Sequence, residues 1–167
     1  MRDKLTESDI RKMEEEIEYR ITELRPKLLE ELKEARSHGD LSENFEYHAA
    51  KREKNKNEGR IRYLERMIKS AVVIEDSSAE DEVGINNTVT VYFVEDKEEE
   101  KYKIVTTVRT NSLQGLISIE SPLGKALLGK KEGERVEVVM DNGYSYHVII
   151  RNIDKTTTDE EDEINQF

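Results

Sequence analysis

"SHGDLSENFEYHAAK" runs from Ser37 to Lys51, between two long, charged, periodic segments that read as helix. Ser37-His38-Gly39 breaks the pattern, and Asp40 and Glu43 follow with two residues between them. One reading is a turn with a helix cap. In Asp-x-x-Glu, Asp40 accepts from the backbone N–H of residue 43, Glu43 reaches back, and both acids suit the positive end of the next helix dipole. The other reading turns the same charges outward. Two carboxylates on the exposed end of a rod can share a hard divalent cation, above all Mg²⁺, which keeps several waters and takes phosphate oxygens as ligands. Two acids alone hold Mg²⁺ weakly, so a partner must complete that site. Spacing alone favours the cap.

Upstream, Ile10, Met13, Ile17, Ile21, Leu24, Leu28, Leu32 and Ala35 recur at spacings of three and four, the helical period. Thr6 or Ser8 is placed to cap the start. Pro26 interrupts, at a cost of about 3 kcal/mol in a helix interior, but the stripe keeps its phase, which predicts one kinked helix. Downstream, Ala50, Lys54, Asn57, Ile61, Leu64, Ile68 and Ala71 form a heptad-like seam that becomes polar toward the turn. The two stripes predict an antiparallel coiled-coil hairpin over 1–74, with arms of roughly 30 residues and about 45 Å. A rod held less well at its far end than at its base suggests reach as its purpose.

The period changes near Val83. "TVTVYFV" (Thr88–Val94), "KYKIVTTV" (Lys101–Val108), "GLISIE" (Gly115–Glu120), "RVEVVM" (Arg135–Met140) and "YSYHVIIRNI" (Tyr144–Ile153) are rich in β-branched and aromatic residues. "DNG" (Asp141–Gly143) suits a hairpin turn. "SPLGKALLGK" predicts a short helix opened by Ser121 and Pro122 and closed by Gly129. The fold class expected is therefore α+β, with the helical hairpin followed by a small antiparallel β domain over 83–153. Residues 75–82 are expected as linker and the acidic 154–167 as a solvated, disordered tail.

Composition narrows the function. At 39% charged and 35% hydrophobic, the 167 residues are too polar for one large core. No apolar run would span a bilayer, no secretory leader is evident, and cysteine is absent, so a cytoplasmic protein without membrane contact is expected. The net charge of −11 lies wholly after Ile74: 17 Lys+Arg balance 17 Asp+Glu before Glu75, against 10 and 21 from there on. Such acidity argues against binding naked duplex DNA. Yet Lys51–Lys69 holds eight bases and three acids, a local excess able to meet nucleic acid. The three histidines, His38, His48 and His147, lack ligand spacing for zinc. No phosphate loop, nucleophile elbow or cysteine nucleophile is present, so self-contained catalysis is not expected.

"EARSHGDLSENFEYHAAK", then "EGRIRYLERMIKSAVVIED" and "GLISIESPLGKALLGKKEG", resembles the Gre-type bacterial transcript cleavage factors over essentially Leu5–Ile153. The first stretch is highly specific and the last moderately so. The resemblance implies an N-terminal coiled coil that enters the secondary channel of RNA polymerase and an FKBP-like C-terminal domain that docks on the channel rim. It implies that tip acids help the polymerase's own active site to cut the 3′ end of backtracked RNA, so the protein is not itself an enzyme.

On that resemblance Asp40 and Glu43 are the acidic tip residues, sharing Mg²⁺ only within the polymerase complex, with no cofactor bound by the isolated protein. Asn44 and Tyr47 match the neighbouring polar positions. Arg36, Lys51 and Arg52 match the basic positions that would hold RNA phosphates, and Glu120, Ser121 and Pro122 the rim-docking turn. A monomer is expected.

The sequence departs from the family at Asp9, where Gly is usual, at Leu24-Arg25-Pro26, where Arg-Arg-Pro is common, and at "MDNG", where Pro-x-Gly is usual; these bear on packing rather than on the tip. One alternative is a Gre-fold regulator that occupies the channel and inhibits or competes, against which the intact Asp40/Glu43 pair argues. Another is a prolyl isomerase or chaperone, which needs an aromatic-lined pocket that no Trp and three Phe supply poorly.

Overall fold

The computed structural model describes residues 3–40 and 43–166. Two compact units emerge: one spans Ile10–Ala71, the other joins Asp3–Asp9 to Val72–Gln166. Among the described residues no helix is long and apolar enough to cross a membrane.

Helix α1 (Glu7–Tyr19), in the first unit from Ile10 onward, runs through a π-helical stretch, Arg20–Leu24, directly into α2 (Arg25–Arg36). Just ahead of Pro26, where a kink is expected, the helix widens into this π turn and continues. Proline has no N–H to donate and crowds the carbonyl one turn back. The wider π turn just ahead, with Arg25 N–H reaching Arg20 O, absorbs that mismatch without ending the helix. The return arm, α3 (Phe45–Ser70), has 26 residues and is about 39 Å long.

The seam between the arms differs from expectation in where it turns polar. Met13, Ile61 and Leu64 are buried, and so are Leu32, Ala35 and Tyr47 near the turn. The polar part lies between these apolar groups. Asn57, only 3% exposed, donates to Arg20 O (3.2 Å) and accepts from Arg20 Nη1 (3.0 Å). Glu16 takes Arg60 (2.8 Å) and Arg20 (2.7 Å), and Arg25 grips Glu58 with two bonds of 2.8 Å. A buried Asn bonded to the opposing main chain admits one register, because a slip would leave it unsatisfied.

The second unit holds a five-stranded sheet in the order β5-β4-β3-β7-β6. Its strands are β3 (Thr88–Phe93), β4 (Glu98–Val105), β5 (Leu116–Ser118), β6 (Arg135–Val139) and β7 (Ser145–Asp154). All neighbours are antiparallel except β4 and β5, which run parallel. Val89, Val91, Ile104, Val136, Val138, Val148 and Ile150 form the core under the short helix α4 (Pro122–Leu127). A second, two-stranded parallel sheet pairs β1 (Lys4–Leu5) with β2 (Val72–Val73). Leu5 is fully buried, which explains why Asp3–Asp9 belong to this unit rather than to the hairpin. Thr6 and Asp9 cap α1 reciprocally: Asp9 N–H donates to Thr6 Oγ1 (3.1 Å) and Thr6 N–H to Asp9 Oδ2 (3.0 Å).

The segment expected as a solvated tail is instead docked. Lys155 donates to Ser78 Oγ (2.7 Å), Glu82 O (2.6 Å) and Asn87 Oδ1 (2.9 Å). Asn165 N–H donates to Val108 O (2.8 Å), and Ile164 is buried. At its centre Arg109, wholly buried, meets Asp9 Oδ1 at 2.6 Å and Asp162 Oδ2 at 2.7 Å, with Asp159 at 3.9 Å. Lys103 also holds Asp162 (2.9 Å). Charge alone suggested solvation here; a buried cation supplies the partner that composition cannot show.

Candidate functional site at the hairpin tip

The turn is built from both helix ends. At the close of α2, Ser37 N–H and His38 N–H donate to Glu34 O (3.1 Å) and Ala35 O (3.2 Å). Gly39 follows at φ +137°, a conformation that a side chain would disfavour. The cap of α3 is Asn44, whose Oδ1 accepts from Tyr47 N–H (3.0 Å) while its Nδ2 donates to Ala35 O (2.6 Å). One side chain therefore starts the second arm and ties it to the last turn of the first. Tyr47 packs against Leu32, Ala35 and Ala50, and the Arg36 guanidinium lies 5.5 Å from the centre of its ring.

The capping reading of Asp40 and Glu43 is thereby corrected, since the helix N-cap is Asn44. Both acids lie on the exposed surface of the turn, Glu43 immediately before the cap. Among the described residues no group of three or more His, Asp or Glu side chains is arranged to hold a metal ion. Two hard oxygen donors at the tip suit Mg²⁺ in kind and fall short in number.

Charge is divided around the tip. Arg36, Lys51 and Arg52 are all exposed, with Lys51 one turn beyond Tyr47 on α3. A groove of about 550 Å³ is instead lined by Glu31, Glu34, His38, Glu46 and Glu53 with three alanines. His38 Nδ1 sits 2.8 Å from Glu46 Oε2, and that hydrogen bond raises the His38 pKa. Spacing reports neither this pair nor the exposure of Phe45, although an aromatic inside a run of polar turn residues is a visible sign.

Glu120, Ser121 and Pro122 lie in the second unit at the start of α4. Ser121 Oγ accepts from Gly124 N–H (3.1 Å) and donates to Ser118 O (2.6 Å). Gly124 is required here, because a Cβ would stand 2.0 Å from Ser118 O. Glu120 is exposed, with Lys4 at 3.8 Å and Lys125 at 3.9 Å.

Residues 4–73 match the family described as "Transcription elongation factor, N-terminal", and residues 77–155 match "Transcription elongation factor, GreA/GreB, C-term". The chain belongs to the GreA/GreB family of transcription elongation factors. Among GreA/GreB relatives, "Transcription elongation factor GreA" of Macrococcus caseolyticus is 46% identical over 149 residues, 89% of this chain and 94% of that one. The protein of the same name from Bacillus subtilis is 44% identical over 139 residues, 83% of this chain and 88% of that one. A solved structure titled "Structure of the transcription factor Gfh1" is 27% identical, covers 92% of this chain and 97% of that one, and aligns with a TM-score of 0.44.

Proposed function

We propose that this GreA/GreB chain inserts its hairpin tip into the secondary channel of RNA polymerase and stimulates the polymerase's own Mg²⁺-dependent cleavage of backtracked RNA, rescuing arrested complexes. The observation that carries the reading is the exposure of Asp40 and Glu43 at the tip, beside a helix cap that Asn44 provides. Both carboxylates stand on the surface of the turn, where a ligand set assembled elsewhere can reach them.

The residues divide the work. Asp40 and Glu43 would add oxygen ligands to an ion that the polymerase holds incompletely. Bound there, the ion supplies Lewis-acid stabilisation of phosphate oxygens and makes water a better nucleophile at neutral pH. Asn44 and Tyr47 tie the start of α3 to the last turn of α2, which sets the place from which the acids would be presented. Arg36, Lys51 and Arg52 would hold the extruded 3′ segment by its phosphates, a contact that weakens with salt. The acidic second unit would dock on a basic rim through Glu120, Ser121 and Pro122, while its net charge disfavours stray nucleic acid. The catalytic centre remains the polymerase's, and the partners are polymerase and the 3′ end of its RNA.

The test is a stalled, backtracked elongation complex incubated with the protein and Mg²⁺ and scored for short 3′ RNA fragments. Native protein is expected to release them. Asp40→Asn and Glu43→Gln are expected to release few while still binding polymerase, whereas substitutions at Ser121 or Pro122 weaken binding. Native-rate cleavage by the Asp40→Asn protein would overturn the proposal.

A further inference from the structure

Phe45 opens α3 with 86% of its surface exposed, and its ring stacks on no other ring among the described residues. Leaving a phenyl group in water forgoes the gain of burying it. Tyr47, two positions on, is buried in the cluster that closes the hairpin, so an inward place for an aromatic at this end is already filled. Phe45 is not needed to hold the turn, which Asn44 and Tyr47 close. Its neighbours on the same face of α3, at i+3 and i+7, are the exposed His48 and Arg52. Arg52 lies about 10 Å along the axis from Phe45. An apolar ring followed by a cation is the pattern that binds single-stranded nucleic acid, with a base on the ring and a phosphate on the cation.

We infer that Phe45 is a stacking platform for a base of the extruded RNA, with Arg52 holding a phosphate further along the strand. The inference rests on the proposed role at the polymerase and extends it: the tip positions RNA through the base as well as the backbone. A stacked base fixes the orientation of its nucleotide, and thereby which phosphate lies beside Asp40 and Glu43. Every base has a π face, so the contact tolerates any sequence but requires that a base be present.

The test compares backtracked complexes whose extruded RNA carries either normal nucleotides or an abasic nucleotide at successive positions from the 3′ end. With native protein at saturation, one abasic position is expected to slow cleavage about five- to tenfold, within the range of one stacked base. Phe45→Ala should lower the normal rate by a similar factor and erase the difference between normal and abasic RNA. Phe45→Trp should restore both. Unchanged thermal unfolding of Phe45→Ala would confirm an intact tip. If Phe45→Ala slows cleavage equally on normal and abasic RNA, the ring contacts polymerase and the inference fails. If Phe45→Ala cleaves like native protein, the inference fails while the cleavage role stands. If native protein stimulates no cleavage at all, both fall.

Discussion

Asp40 and Glu43 at the hairpin tip, and Asp159 and Asp162 near the C-terminus, are the same chemical group in opposite settings. The tip acids are exposed on a turn that caps its helix with Asn44. The C-terminal acids gather with Asp9 around Arg109, which has no exposed surface. Burying a charge is costly unless it is paired, and the arrangement meets that condition with several partners at once. Asp159 shows the balance: burial raises its pKa, but the Thr6 hydrogen bond and the Arg109 charge outweigh this and leave it lowered. The lesson is that carboxylates in this chain do structural work where a cation is sealed in beside them. On the proposed function, those at the end of an arm are placed for a partner.

The contrast breaks most sharply at Arg109. Arg109→Met would leave Asp9 buried without its cation and Asp162 with Lys103 alone, and should destabilise the second unit by about 3–5 kcal/mol, read by chemical denaturation. Equal stability would mean that the cluster is neutral to folding and that the contrast is false. At the other pole, Asp40→Asn and Glu43→Gln should lower transcript cleavage at least about 10-fold, the lower end of what losing even an outer-shell support of a metal ligand costs. The Glu43→Gln thermal midpoint should match the native protein, because an exposed surface change of this kind stays within about 0.5 kcal/mol.

Asn44→Ala falls between the two. Losing both the cap and the tie to Ala35 should cost about 1–2 kcal/mol of hairpin stability and slow cleavage through a looser turn, measured by melting and by the cleavage assay together.

The smallest effects are those of pH. Asp159 and Glu16 have folded pKa values below their ordinary 3.8 and 4.5. Their contribution is complete above those ordinary values and is lost as pH falls through the lower folded ones, so melting temperature should drop only in acid. His38 runs the other way. Its raised pKa stabilises the tip below its ordinary 6.5 and that contribution fades as pH rises through the folded value, visible in a histidine NMR titration.

The hairpin and the strands were legible because their periods are long and local. The apolar stripes through Ile10–Ala35 and Ile61–Ala71, and the β-branched runs from Thr88 to Ile153, each decide their own element. The tip was legible in part: its residues could be named, but the choice between Asp40 and Asn44 as cap depends on where α3 begins. Asp9 and the C-terminal segment were not legible. The Asp9 carboxylate meets Thr106 across 97 positions of sequence, and Asp162 meets Arg109 across 53; no local pattern reports such partners. Asn57 likewise read as a weak point of the seam until Arg20 was found opposite.

The central claim is that the tip lends magnesium ligands to another enzyme's site. The most direct measurement is the Mg²⁺ concentration giving half-maximal cleavage of a backtracked complex, at saturating native, Asp40→Asn or Glu43→Gln protein. The account predicts that each substitution raises that concentration about tenfold or more and that excess Mg²⁺ restores part of the rate. A lower rate with an unchanged Mg²⁺ requirement would contradict it.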